Sequence, residues 1–311
     1  MAKTIVSNVV IFLGNGFDLD LGLPTKYSNF ASETNIEWLE LTKNFEQLYS
    51  QLYKEETINA SLLTQLIEVS RNDYWFDVEK EIYKYVLNHK RPTPELIGLV
   101  RNQYERFKYY FSNYLNRIIS STIINPQSLA NVLFNRLVKS NICSTICTFN
   151  YTDCFDLCSC HKRDGLKYMP IHGSLKNNSI ILGCRAPHNQ IEYAFDFLSK
   201  STEVPSNLLQ ISTNYTIANE VIVFGHSLNL MDSCYFSELF DANNNNSDKI
   251  LTIICKNTES ERLIVENINE WSNFSETHID CDVQFIHTDG WYKNEEQENK
   301  AFKDLCNRLK I

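Results

Sequence analysis

The chain has 311 residues, of which 43% are hydrophobic, so it is long enough to bury a substantial core. It has 38 acidic residues against 29 lysines and arginines, and the net charge of -9 disfavours binding to nucleic acid. We find neither an export signal nor an apolar segment long enough to span a membrane, which predicts a cytoplasmic protein whose 10 cysteines are reduced.

The first predicted element is a strand from Val9 to Leu13. This β-branched and aromatic run stops at Gly14, as a buried parallel strand does when it enters a tight turn. From Glu37 to Lys139 the apolar residues instead recur at helical spacing. Thr93-Pro94 divides this region and is typical of a helix start.

Strands return after Lys139 and alternate with helices. The predicted strands run from Ile142 to Phe149, Met169 to His172, Ile180 to Leu182, Val221 to Phe224, Ile250 to Cys255 and Val283 to Ile286. The predicted helices run from Leu208 to Ala218, Met231 to Phe240, Glu259 to Trp271 and Glu295 to Leu309. This alternation predicts an α/β fold with a parallel sheet. We expect residues 1–36 and 140–311 to form that core, and residues 37–139 to form a helical insertion that acts as a lid or an interaction module.

A group of potential zinc ligands lies early in this second half: Cys154, Cys158, Cys160 and His161. It lacks the paired C-x-x-C halves of a structural zinc site. We interpret these cysteines as buried or surface thiols and expect no metal.

A glycine-rich turn follows the first strand. It reads Gly14-Asn15-Gly16-Phe17-Asp18 and leads to Gly22-Leu23-Pro24-Thr25. Glycines at the carboxyl end of a parallel strand let the backbone approach a pyrophosphate, whose charge is met by free N–H groups. Leu19 stands where a dinucleotide fingerprint has its third glycine, so a plain tight turn explains the motif equally well.

A second motif, Phe149-Asn150-Tyr151-Thr152-Asp153, follows the next strand. Asn150 is predicted to project into a ligand crevice, where its amide can bind sugar hydroxyls or orient a water molecule. The alternative is a helix N-cap. Thr152 or Asp153 can take that role, which would leave Asn150 free.

A third motif, Ile171-His172-Gly173-Ser174, ends another apolar run. We expect an exposed imidazole here, and imidazole is suited to proton transfer near neutral pH. A lone histidine is nevertheless more often structural than catalytic.

The fourth motif is Val223-Phe224-Gly225-His226-Ser227-Leu228, followed by Asp232. It fits the floor of a nucleotide site, with Ser227 facing a phosphate or ribose, or a turn in which Ser227 caps a helix. All four motifs fall at the carboxyl ends of predicted strands, where open α/β sheets bind ligands. We therefore expect Gly16, Asn150, His172 and Ser227 to surround one cavity.

In order along the chain, these blocks resemble the AbiH family of bacterial phage-abortive-infection proteins. The residues that carry the resemblance are Gly14 to Asp18, Gly22 to Thr25, Tyr27, Phe30, Trp75 to Glu79, Phe149 to Thr152, Ile171 to Gly173, and Phe224 to Leu228 with Asp232. The resemblance covers nearly the whole chain and implies an antiphage effector with a phage-derived trigger.

The same blocks are distantly similar to the nucleotide site of sirtuins. That resemblance implies NAD in a Rossmann-like pocket, with His172 as base and Asn150 near the nicotinamide ribose. Taking the motifs and this resemblance together, we predict that the cofactor-binding residues are Gly14, Asn15, Gly16, Phe17, Asp18, Pro24, Thr25, Gly173, Gly225, His226, Ser227 and Asp232. Thr25-Lys26-Tyr27 replaces the sirtuin Asp-Phe-Arg, and the four-cysteine zinc module is absent, which disfavours protein deacylation.

Compared with deacylation, NAD hydrolysis to nicotinamide and ADP-ribose requires fewer features of the protein, because only water must reach the anomeric carbon. Asp18 and Asp232 are candidates for binding ribose hydroxyls. The rival function is that of a nucleotide-binding sensor or scaffold without turnover. A second copy of the chain is a candidate partner, which would make the protein a homo-oligomer. A metal-dependent nuclease is disfavoured, since the acidic residues form no paired cluster and the net charge is wrong for DNA.

Overall fold

A computed structural model of the chain describes residues 8–72, 76–184, 193–200, 218–236, 239, 249–275 and 282–311. Within these ranges one sheet contains six strands: β1 (Val9–Leu13), β2 (Cys143–Thr148), β3 (Lys167–Pro170), β4 (Glu220–Phe224), β5 (Ile250–Cys255) and β6 (Asp282–His287). Every pair is parallel, and the order is β3-β2-β1-β4-β5-β6. This is the strand order of a doubly wound dinucleotide-binding fold, and it confirms the predicted Rossmann-like α/β class.

The centre of the sheet explains why these segments form strands. All residues of β1 and β4 are buried, and both strands consist largely of Val, Ile, Leu and Phe. Such continuous apolar runs are typical of parallel strands that are covered on both faces. The edge strands β3 and β6 are more exposed. Each of the six strands begins and ends within two residues of a prediction.

Helices fill the region from Glu37 to Lys139 and two of the predicted segments near the C-terminal end, whereas four short helices elsewhere in the described ranges were not predicted. The helices are α1 (Asn15–Asp20), α2 (Tyr27–Phe30), α3 (Ile36–Tyr49), α4 (Glu55–Asn59), α5 (Leu62–Asn72), α6 (Val78–Asn88), α7 (Pro94–Ser121), α8 (Leu129–Lys139), α9 (Cys154–Leu157), Thr258–Ser275, Thr288–Tyr292 and Glu296–Leu309. Short 3-10 helices span Leu175–Asn177, Tyr193–Leu198 and Leu230–Tyr235. None of the described helices is long and apolar enough to cross a membrane.

The described residues divide into two compact units. The first is drawn from Met1–Leu23, Ile123–Asn178 and Pro205–Ile311, and the second from Pro24–Thr122 and Ser179–Val204. The first unit contains the sheet. The assignment of residues 37–139 as an inserted domain stays a prediction.

The second unit has an aromatic core. Phe30 packs edge-on against Trp38, Phe107 and Phe111, with ring centroids 5.3–5.5 Å apart. The predicted start of α7 is confirmed, because Thr93 Oγ1 accepts from the N–H of Leu96 and Pro94 occupies the first turn.

Part of the Trp75-to-Glu79 block also has a structural role in this unit. Asp77 caps α6 by accepting from the N–H groups of Glu79 and Lys80. Glu79 is paired with the buried Lys200, whose ammonium lies 2.7 Å from Oε2. This buried ion pair therefore links two segments of the second unit that are far apart in sequence. Trp75 lies outside the described residues.

Two secondary-structure predictions are wrong. The run from Ile180 to Leu182 is no strand: its backbone is engaged within the second unit, where Leu182 accepts a hydrogen bond from the Tyr104 hydroxyl. The helix predicted from Met231 to Phe240 is instead a 3-10 helix over Leu230–Tyr235, in which N–H groups such as that of Asp232 donate to the carbonyl three residues earlier. The predicted helix from Leu208 to Ala218 lies almost entirely outside the described residues.

Candidate functional site

The register of the sheet brings the four predicted motifs into one row. Leu13 at the end of β1 pairs with Thr148 and with Phe224, and Thr148 pairs with Pro170. The four strands therefore end level with one another, and the residue that follows each strand belongs to one of the four motifs. Four adjacent strand ends span about 15 Å at the usual spacing of parallel strands. The strand order reverses between β1 and β4, and this topological switch point lies within the row.

The glycine turn after β1 packs directly on the turn after β4. A Cβ on Gly14 would lie 2.6 Å from the Cα of His226, and a Cβ on Gly16 would lie 2.6 Å from the Cα of Gly225. Gly225 has a φ of 65°, which favours glycine in its own right. Contact between two backbones, rather than open space for a ligand, explains these glycines.

The same contact occupies backbone donors that were expected to be free. The N–H of Gly14 donates to Phe224 O at 2.9 Å, and that of Gly16 donates to Gly225 O at 2.8 Å. The prediction that free glycine N–H groups meet a phosphate is therefore wrong for these two. Asn15 and Ser227, which flank the contact, are exposed. They are better placed to meet a ligand.

Asn150 is held by the glycine turn. Its amide nitrogen donates to Gly14 O at 3.0 Å and to Asp18 Oδ1 at 2.8 Å. Because both amide hydrogens are used, the amide oxygen is the atom suited to accept from a ligand. Asp153 caps α9 by accepting from the N–H groups of Phe155 and Asp156. Asn150 is therefore not a helix cap, but neither is it free.

Thr152 completes a buried cluster with Asp18 and Asn150, and the sequence did not single it out as a site residue. Its hydroxyl donates to Asp18 Oδ2 at 2.8 Å, so each oxygen of that carboxyl accepts from a neutral side chain. Burial raises the pKa of Asp18 to about 7, although the hydrogen bonds from Thr152 and Asn150 oppose the shift. Asp18 thus changes its protonation near neutral pH.

His172 and His226 share one carboxylate. His172 Nε2 lies 3.1 Å from Asp232 Oδ1, and His226 Nε2 lies 3.2 Å from Asp232 Oδ2. His172 was expected to be exposed, yet it is only 4% exposed. Its ring is covered by Phe149, which packs edge-on at 5.1 Å and also lies 4.3 Å from the His226 ring. The site is thus an ordered array of polar groups set among aromatic rings.

The remaining predicted residues fall in different surroundings. The Phe17 ring is buried against Phe134 and Phe224 and belongs to the core. Gly173 follows His172 with a φ of 76°. Pro24 and Thr25 belong to the second unit, where Pro24 O accepts from the Tyr114 hydroxyl at 2.6 Å.

Ser227 is not the cap of the following turn. Asn229 takes that role, accepting from the N–H groups of Met231 and Asp232. In the described ranges no three His, Cys, Asp or Glu side chains converge as ligands for a metal ion.

Comparison with protein families identifies one match. The family described as bacteriophage abortive infection AbiH matches residues 10–254, which include all four motifs. No curated protein matches the chain.

Solved structures with a similar backbone arrangement include Sir2 proteins. Sir2Tm bound to a propionylated peptide is 12% identical, with a TM-score of 0.38, and the match covers 94% of both chains. A mutant Sir2 homologue in complex with ADP-ribose is also 12% identical, with a TM-score of 0.39, over 88% of this chain and 99% of that one. A Sir2 bound to an acetylated peptide is 13% identical, with a TM-score of 0.34, over 86% and 93%.

Proposed function

The chain belongs to the AbiH family of bacteriophage abortive infection proteins, which supports a role in antiphage defence, and we propose that it acts there by hydrolysing NAD. The products would be nicotinamide and ADP-ribose. The observation that carries the proposal is the single row of four motifs at the carboxyl ends of β3, β2, β1 and β4.

The choice of a dinucleotide rests on the fold and on the position of the site. The strand order is that of dinucleotide-binding sheets, whose ligands lie beyond the carboxyl ends of the strands at the point where the order reverses. Here that point lies between Gly14 and Gly225. The resemblance of the four motifs to the sirtuin nucleotide site favours NAD.

The reaction asks little covalent chemistry of the protein. The bond from the ribose anomeric carbon to the nicotinamide nitrogen breaks, and its electron pair neutralises the cationic ring, through an oxocarbenium-like transition state. Water then forms the new bond to that carbon and gives up a proton. His172 is the proposed acceptor of this proton, and the amide oxygen of Asn150 orients the water or a ribose hydroxyl.

Release of nicotinamide from NAD by the purified full-length chain tests the proposal. His172→Ala is expected to lower the rate about 100-fold or more, as loss of a general base does. His287→Ala is the matched control, because His287 also lies at the carboxyl end of a strand, as the last residue of β6, but pairs with Glu261 and Glu298 instead. It should retain the wild-type rate.

The assay is run with and without extract from phage-infected cells, so that a requirement for a trigger is detected. If neither condition releases nicotinamide while calorimetry shows that NAD binds, hydrolysis is refuted and the chain is a nucleotide sensor or scaffold. Equal rates for wild type and His172→Ala would refute the role of His172.

A further inference from the structure

We infer that Asp232 is a positioning residue that fixes the tautomer and orientation of His172, and that His226 in turn fixes Asp232. The inference deepens the proposed function, because it rests on His172 as the base of that reaction. It stands on a chain of hydrogen bonds that runs from a backbone amide through His226 and Asp232 to His172.

The series of hydrogen bonds begins at the N–H of Leu228, which donates to His226 Nδ1 at 2.9 Å. Because Nδ1 accepts this bond, the proton of a neutral His226 ring must be on Nε2. Leu228 adopts a φ of 50°, a conformation that a leucine rarely takes and that surrounding structure must enforce. The backbone is therefore held in an unfavourable conformation that sets the tautomer of His226.

His226 is hydrogen-bonded in turn to Asp232. His226 Nε2 donates to Asp232 Oδ2 at 3.2 Å, so that the other carboxylate oxygen, Oδ1, is directed to His172 Nε2 at 3.1 Å. The backbone of Asp232 is also anchored, because its N–H points to the side-chain oxygen of Asn229 at 3.3 Å. The carboxylate is thus restrained on both sides.

The last step decides the chemistry of His172. A carboxylate can only accept, so His172 Nε2 must carry the proton and Nδ1 must carry the lone pair of the neutral ring. When Nδ1 takes up a proton, the adjacent carboxylate stabilises the imidazolium. The Phe149 ring packs against both imidazoles and restricts their rotation. Asp232 therefore acts through His172 rather than on the substrate.

The substitution Asp232→Asn gives an asymmetric prediction. Leu228 still fixes Nε2–H on His226, which needs an acceptor, so the amide oxygen turns to His226 and the amide nitrogen turns to His172. His172 Nε2 must then accept, and its proton moves to Nδ1. We expect the tautomer of His172 to invert while that of His226 stays the same.

The test measures both tautomers by nitrogen-15 NMR of the imidazole rings in the full chain, together with nicotinamide release. In wild type, both rings should be of the Nε2–H form. In Asp232→Asn, His172 should become Nδ1–H and kcat should fall by about 100-fold to 10,000-fold, with a smaller change in KM. Asp156→Asn is the control, because Asp156 pairs with Lys176 on the surface and should change neither tautomer.

The NMR result separates this inference from the proposed function. An Nδ1–H form of His172 in wild type, or an unchanged tautomer in Asp232→Asn, overturns the positioning role whatever the activity. An inverted tautomer of His172 in Asp232→Asn together with a wild-type kcat overturns it as well. If wild type shows the expected tautomers but releases no nicotinamide, hydrolysis fails and the hydrogen-bond chain stands.

Discussion

Two buried carboxyl groups of the first unit differ sharply in how they are compensated. Glu220, at the amino end of β4, accepts from Arg308 through both oxygens, at 2.8 and 3.1 Å, and from the Thr252 hydroxyl at 2.9 Å. Asp18, beside the carboxyl end of β1, is bonded to the neutral side chains of Asn150 and Thr152. Among the described side chains that donate to Asp18, none carries a positive charge.

The difference distinguishes a buried carboxyl group that serves stability from one that is available for function, at opposite ends of the same sheet. An arginine that binds both oxygens of a carboxylate offsets the cost of burying the charge. A carboxyl group with neutral donors keeps that cost, and its pKa rises, as it does for Asp18. Buried carboxyl groups without a positively charged partner are typical of active sites, so we propose that the amino end of the sheet contributes to stability and that the carboxyl end holds the functional site.

The largest expected effect is at the amino end. Arg308→Ala leaves Glu220 buried with only the Thr252 hydroxyl, and the free energy of unfolding should fall by about 3–4 kcal/mol. The measurement is urea denaturation of the purified variant. Arg262→Ala, which removes an exposed arginine from pairs with Glu259 and Glu266, is the control and should shift the midpoint much less. Equal shifts would remove the distinction between the two ends.

The second prediction concerns the pH dependence of stability at the carboxyl end. The pKa of Asp18 is raised, so its contribution to stability is present at low pH and is lost as pH rises through about 7. Between about pH 5 and pH 8, wild type should lose about 2–3 kcal/mol relative to Asp18→Asn, which cannot ionise. Denaturation curves at several pH values give this difference. A pH-independent difference would mean that Asp18 does not titrate in this range.

The smallest expected difference, about 2 kcal/mol between two glycine variants, tests the contact between the backbones of Gly225 and Gly16 at the carboxyl end of the sheet. Gly225 and Gly165 both have positive φ, at 65° and 80°, but only Gly225 is packed against another backbone, that of Gly16. Gly165→Ala should cost about 1 kcal/mol through strain alone, and Gly225→Ala about 2 kcal/mol more through collision. Thermal or urea unfolding measures both. If the two substitutions cost the same, the contact between the turns is not tight.

The sequence predicted most of the sheet and the position of the four motifs at the carboxyl ends of its strands. Continuous apolar runs that stop at Gly14, Asn150 and Gly225 mark buried strands that end in polar turns, and this signal is local. The run from Ile180 to Leu182 shows its limit, because a short apolar segment looks the same whether it pairs in a sheet or packs elsewhere.

The partners of the site residues could not be predicted, because they depend on contacts between distant segments. Asp18 and Thr152 are far apart in sequence, and each has a plausible local role as a cap or turn residue. The shared binding of His172 and His226 to Asp232 depends on the 3-10 turn that starts after Asn229. The prediction that His172 is exposed was wrong for the same reason, because the rings that cover His172 come from other strands and turns.

The central position of β1 has a consequence for synthesis of the protein. Val9–Leu13 pairs on one side with β2 and on the other with β4, whose last residue is Phe224. A ribosome adding about 5–20 residues per second needs roughly 10–40 seconds to pass from the first of these strands to the last. During that time the nascent chain lacks His226 and Asp232, so a partly made protein is without the groups that we propose position His172 for hydrolysis of the host's own NAD.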